Sequence, residues 1–242
     1  ALKNAIQTAK SETGKPSIII IRSHIGYGAP NLQDTSTVHG APLGEDEIKA
    51  TKKFYGLPED ETFRVPDQVY EHMNEIKNKG TAKEKEWNDL FARYKKEYPE
   101  LAGQFENAVS GILASDWDSA IKTYKPEDGP QATRNIGGQV MNAIADKVPF
   151  LIGGSADLNP STKTFIKNSD YVARDAYQNR NIAWGVREIG MCAATSGIAL
   201  HGGLRPFAST FFVFIDYARP AISLAAIMKV PAIYVITHDS PG

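Results

Sequence analysis

The chain has 242 residues, of which 42% are hydrophobic, and its 27 lysines and arginines nearly balance its 28 acids for a net charge of −1. Near-neutral charge leaves no electrostatic footprint for nucleic acid or an anionic membrane surface, and the apolar content supports a real core, in one large domain or parts of two. The single cysteine, Cys192, excludes an internal disulfide and fits a reducing, cytoplasmic compartment, while no apolar run reaches the roughly 18 residues of a membrane span and the N-terminus is too polar for a secretory signal.

In chain order, residues 2–12 read as a helix. Ser17 to Arg22, a continuous isoleucine run bounded by Pro16 and Gly26, reads as a strand buried in a parallel sheet. The loop from Gly26 to Gly44 has turn chemistry and an exposed character, with His39 inside it. Glu45, Asp46 and Glu47 open a helix whose acids suit the dipole and which Gly56 caps. Residues 66–79, 82–98 and 100–113 read as polar amphipathic helices punctuated by Pro99 and Gly103, their Lys/Glu runs forming solvated faces. Ser115 to Gln131, rich in Pro and Gly near its end, reads as a boundary.

Thr133 is placed to N-cap a helix over 134–147. Arg134, at that helix start, opposes the dipole and calls for an anion. Residues 149–152 form a short strand, followed by the polar loop Gly153–Ser161. Such a loop at the carboxyl end of a parallel strand is where α/β sheets bind ligands, although Asp157 in it could simply make an Asx turn. After a polar loop over 162–180 come a strand at 181–184, a helix at 188–201 rich in small residues, a strand at 206–208, a helix at 210–218, then Pro220, which kinks that helix or starts a new one, a helix at 221–229 and a strand at 231–236. His238 lies just past the last strand.

Chemistry concentrates in 181–217. Glu188 sits between Val186 and Met191, where burial would strip water from its carboxylate and favour a shared proton. Phe211, Phe214 and Tyr217, spaced by three, would line one helix face. An acid beside an aromatic wall suits a flat heteroaromatic ligand, and the ordinary alternatives are a dipole-stabilised helix N-terminus and plain core. Cys192 falls in the same apolar pattern and reads as core.

VREIGMCAATSGIALHGG followed by TFFVFIDYARPA closely resembles the pyrimidine-binding domain of transketolases, and IGYGAPN, VHGAPLGEDE, ATRN, GGSADLNPS and ITHDS follow in that family's order from Lys15 to Ser240. The resemblance implies an α/β, parallel-sheet thiamine diphosphate-binding fold preceded by a helical interdomain segment. Residues 1–44 would end a diphosphate-binding domain, 45–131 would connect, and 132–242 would begin the pyrimidine-binding domain. It also implies transfer of a two-carbon ketol unit between sugar phosphates, with Glu188 hydrogen-bonded to the pyrimidine of thiamine diphosphate. Asp157, Leu158, Phe211, Phe214 and Tyr217 would contact the cofactor. Arg134 and Ser161 would hold the substrate phosphate, and His39 and His238 would handle protons and hydroxyls. The metal, Mg or Ca, would be bound by residues outside this chain, and a homodimer would place the cofactor between subunits.

The ends do not look natural, so the chain is expected to be part of a longer enzyme and inactive alone. The resemblance leaves room for a dihydroxyacetone synthase-like enzyme or a non-catalytic α/β scaffold. Ser240-Pro241 departs from the family, which usually carries a branched apolar residue after THDS.

Overall fold

The computed structural model describes residues 1–238; the Ser240-Pro241 departure lies outside the described residues. Contacts divide the chain into two compact units, Ala1–Thr81 and Ala82–Gly242.

The first unit holds helix α1 (Leu2–Ser11) and helix α2 (Glu45–Phe54). Between them, Ser17 to Arg22 is no strand. Ile18 and Ile20 are 85% and 86% exposed, and no strand forms among residues 1–150. A parallel ladder needs neighbouring strands for its hydrogen bonds, and this part of the chain supplies none, so the isoleucines extend without a sheet. The loop after them is built rather than loose. Glu47, buried in the first turn of α2, accepts hydrogen bonds from the Asn31 amide and Asn31 Nδ2, both at 2.8 Å, and from the Leu32 amide at 3.2 Å. The sequence marked Glu47 only as a dipole-suiting acid.

Helix α3 (Asp67–Glu97) is continuous over 31 residues where a break near Gly80 was expected. The division between the units falls within it. Gly80 weakens a helix but does not end one when the flanking residues are good helix formers. Helix α4 (Pro99–Ser110) follows, closed by Gly111 in the left-handed conformation.

The remainder is a parallel α/β layer. Helix α5 (Thr133–Lys147) begins one residue earlier than expected, with Ala132 rather than Thr133 at its N-cap. Strands β1 (Leu151–Ser155), β2 (Arg205–Phe211) and β3 (Ile233–Thr237) form a parallel sheet in the order β1-β2-β3. Successive residues of β2 face opposite sides. Phe207 packs with Ala145, Val148, Leu151 and Ile166, and Ala208 packs with Ala156, Met191, Cys192 and Ala218. The short helix α6 (Asn159–Thr162) follows β1, helix α7 (Glu188–His201) precedes β2, and helix α8 (Ile215–Ile227) precedes β3. α7 packs on both α8 and β2.

Two glycines allow this closeness. A Cβ on Gly153 would lie 2.1 Å from the Phe207 carbonyl oxygen, and one on Gly154 would lie 2.0 Å from that of Ile182. The expected strand at 181–184 reduces to bridges at Asn181, whose buried side chain instead bonds the Ile166 backbone at 2.8 and 3.0 Å. α8 runs through Pro220, so the Asp216 carbonyl lacks its helical donor and the helix continues.

Candidate active site

Parallel strands place their carboxyl ends on one edge. The register pairs Ser155 of β1 with Ser209 of β2, and Phe211 of β2 with Thr237 of β3. Asp157 and Leu158 just after β1, Phe211 at the end of β2 and His238 just after β3 therefore share that edge, where α/β sheets bind ligands. Asp157 is exposed and in the left-handed region at φ 58°, which Asp tolerates. The buried Ser155 hydroxyl accepts the Leu158 amide at 2.8 Å and fixes the loop leading into α6.

The aromatic residues make a ladder of rings on three elements, not one helix face. Phe211 ends β2, Phe214 ends a 3-10 turn over Phe212–Phe214, and Tyr217 lies in the first turn of α8. Phe211 and Phe214 stack at 5.8 Å and 11°, Phe214 and Tyr217 at 6.1 Å and 28°, and the His238 ring lies 4.0 Å from that of Phe211. Tyr217 stays 65% exposed. The Thr237 hydroxyl is 3.0 Å from His238 Nδ1.

Glu188 is the first residue of α7 and only 6% exposed. Among the described residues its carboxylate has no hydrogen-bond or ion-pair partner. α7 packs against β2 and α8, which carry the ring ladder. Cys192, one turn along, is buried, and burial together with the Glu188 charge pushes its thiol up to about 11, so it is not a nucleophile at neutral pH.

Arg134 is the second residue of α5, half-buried, with its Nε buried and unpartnered among the described residues. Ser161 is half-buried in α6. A Cβ on Gly138, one turn after Arg134, would meet the Lys163 carbonyl oxygen at 2.7 Å, so α5 lies against the residue that ends α6. A cleft of about 430 Å³ opens there, lined by Asn135 and Pro160, the chain neighbours of Arg134 and Ser161.

His39 belongs to the first compact unit. It is exposed and lies just past a 3-10 turn at Ser36–Val38. Three buried polar atoms that the sequence did not flag have no partner among the described residues, Trp184 Nε1, Ser209 Oγ and Thr210 Oγ1. Their signal was weak, because Ser and Thr in a strand and a Trp before a glycine read as core. Buried groups left unpaired call for a water or a ligand. The unbonded Glu188 carboxylate and the ring ladder fit a flat, nitrogen-bearing ring such as that of thiamine diphosphate. Among the described residues, no group of three or more His, Cys, Asp or Glu is placed to hold a metal ion.

A parallel sheet flanked by helices, with polar loops and a ring ladder at its carboxyl edge, makes this an open α/β protein of the class that binds ligands at that edge. Known proteins narrow the class. The profile of the transketolase thiamine diphosphate binding domain matches residues 1–114, and that of the transketolase pyrimidine binding domain matches residues 129–242. The chain is 50% identical over 239 residues to a transketolase of Halalkalibacterium halodurans and 51% identical over 241 residues to that of Bacillus subtilis, covering 99% of this chain and 36% of each relative. Among solved structures it resembles transketolase from Leishmania mexicana (TM-score 0.89, 36% identity, 99% of this chain and 35% of that one). It also resembles the Pichia stipitis transketolase complex with sedoheptulose 7-phosphate (TM-score 0.89, 39% identity, 98% and 36%). The chain belongs to the transketolase family, and it spans about a third of the length of the curated relatives it matches.

Proposed function

We propose that the chain works as part of a thiamine diphosphate-dependent transketolase that moves a two-carbon ketol unit from a ketose phosphate to an aldose phosphate. The observation that carries this is Glu188, buried and unbonded at the head of a helix packed on the elements that bear the ring ladder. Thiamine diphosphate, when bound, supplies the carbanion chemistry that such a transfer needs. Glu188 holds a proton between its carboxyl and N1′ of the pyrimidine, which is general acid–base work. Phe211 and Phe214, with Tyr217 beyond them, pack against that ring, each offset contact adding about 0.5–1.5 kcal/mol to burial. Asp157 and Leu158 close the cofactor side of the sheet edge.

Arg134 and Ser161 orient the substrate phosphate. The guanidinium fork suits a phosphate, and the unpaired Nε–H of Arg134 is a donor in waiting. His238 and His39 pass protons to and from sugar hydroxyls, since an imidazole can donate or accept. The solved relative bound to sedoheptulose 7-phosphate supports a sugar phosphate substrate, and the relatives' names favour neither a formaldehyde-using synthase nor a non-catalytic scaffold.

The same reading divides the chain into the end of a diphosphate-binding domain (1–44), a connection (45–131) and the start of the pyrimidine-binding domain (132–242). It puts the magnesium or calcium ion on residues outside this chain, the cofactor between the subunits of a homodimer, and the protein in the cytoplasm. No helix among the described residues is long and apolar enough to cross a membrane. The test is an assay of the protein assembled with a transketolase chain that supplies the remaining segments. Turnover of xylulose 5-phosphate with ribose 5-phosphate supports the reading; turnover with formaldehyde alone, or no turnover with cofactor and magnesium present, overturns it.

A further inference from the structure

We infer that Arg187 is a positioning residue, whose guanidinium, bonded across Gly185 to the Trp184 carbonyl, sets the turn that presents Glu188 at the head of α7. Arg187 Nη1 donates to the Trp184 carbonyl oxygen at 2.8 Å. The chain between them is tight. Gly185 is left-handed at φ 67°, and the Arg187 amide donates to the Gly185 carbonyl at 2.9 Å. A Cβ on Gly185 would lie 2.1 Å from Arg187 Nη1, so a side chain there would displace the guanidinium. Arg187 is itself the N-cap of α7, at φ −148° and ψ 61°, with no side-chain cap, and its carbonyl accepts the Met191 amide at 2.7 Å. One residue thus fixes the incoming turn through its side chain and closes the first helical bond through its backbone.

The electrostatics argue against a simpler role. A cation at a helix N-terminus opposes the dipole, and among the described residues no ion pair joins Arg187 to Glu188 or to any other acid. What the side chain gains is the carbonyl bond, which orders the turn. The importance of Glu188 rests on the function proposed above; the positioning itself can be read without cofactor.

The reporter is Cys192, four residues along α7, whose thiol is held up to about 11 by burial and by the Glu188 charge. The measurement is a titration of the Cys192 Cβ carbon by NMR in the 242-residue chain. Glu188→Gln removes the carboxylate and lowers the midpoint, which calibrates the reporter. Arg187→Gln separates the two roles by sign. Loss of a nearby cation alone raises the midpoint, whereas displacement of Glu188 lowers it, and we expect a fall of at least half that of Glu188→Gln. Arg187→Met, which keeps the aliphatic stem but no donor, is expected to do the same and carries the test if Arg187→Gln does not fold. A midpoint at or above the wild-type value in these variants overturns the proposal. So does an unmoved midpoint in Glu188→Gln, because Glu188 then does not stand where the turn would place it. Failure of thiamine diphosphate to bind the assembled enzyme would leave these midpoints unchanged and would count against the cofactor reading alone.

Discussion

Cys192 carries a consequence for stability as well as for reporting. Its thiol is pushed from 9.0 up to about 11, first by burial and then by Glu188. Folding therefore favours the protonated thiol, and the stability this represents is whole below about 9 and lost as pH rises through about 11. Between those limits the wild type should lose about 2–3 kcal/mol more than Cys192→Ala, read as the difference in urea unfolding at pH 8 and pH 11; parallel losses would contradict the shift. Gly153 tests packing. Its absent Cβ would meet the Phe207 carbonyl oxygen, a backbone atom that cannot swing away, so Gly153→Ala should destabilise the chain by about 1–3 kcal/mol. An unchanged urea midpoint would mean that β1 and β2 are looser than they stand here. The sequence showed Gly153 as loop; only the strand register reveals that it pairs with Phe207 of β2.

Elements were legible where they carry their own signal. α7 spans the expected residues because its acid start, its small residues and its Gly202-Gly203 stop are all local. The isoleucine run was misread because a parallel strand exists only with its neighbours. The aromatic residues at 211, 214 and 217 were read as one helix because a spacing of three has no second meaning in sequence, yet a strand end, a 3-10 turn and a helix start also bring those rings into register. The two predicted helices either side of Gly80 are one. Gly80 has open space around its missing Cβ, so Gly80→Ala should stabilise α3 by about 0.5–1 kcal/mol, measured as an increase in unfolding free energy. The Glu47 clamp on the loop at Asn31 and Leu32 lowers that carboxyl's pKa, chiefly through the Asn31 side chain. The loop should therefore hold above the ordinary range of a carboxylate and loosen as pH falls through the lowered value. Amide exchange at Asn31 and Leu32 that shows no such acid release would contradict it.

At the scale of the whole molecule, the two family profiles cover nearly all of the chain, while the chain covers 36% of its bacterial relatives. Motif order in the sequence was enough to place the family, because it depends on residue types and not on how they pack. The arrangement of the site was not legible, because it depends on register and on close-packed glycines. The central claim is that Glu188 binds the pyrimidine of thiamine diphosphate. The most direct test is calorimetric titration of thiamine diphosphate, with magnesium, into the protein assembled with a transketolase chain carrying the remaining segments. The account predicts saturable binding that Glu188→Gln weakens by at least tenfold, about 1.4 kcal/mol. Equal affinity in the two proteins would contradict it.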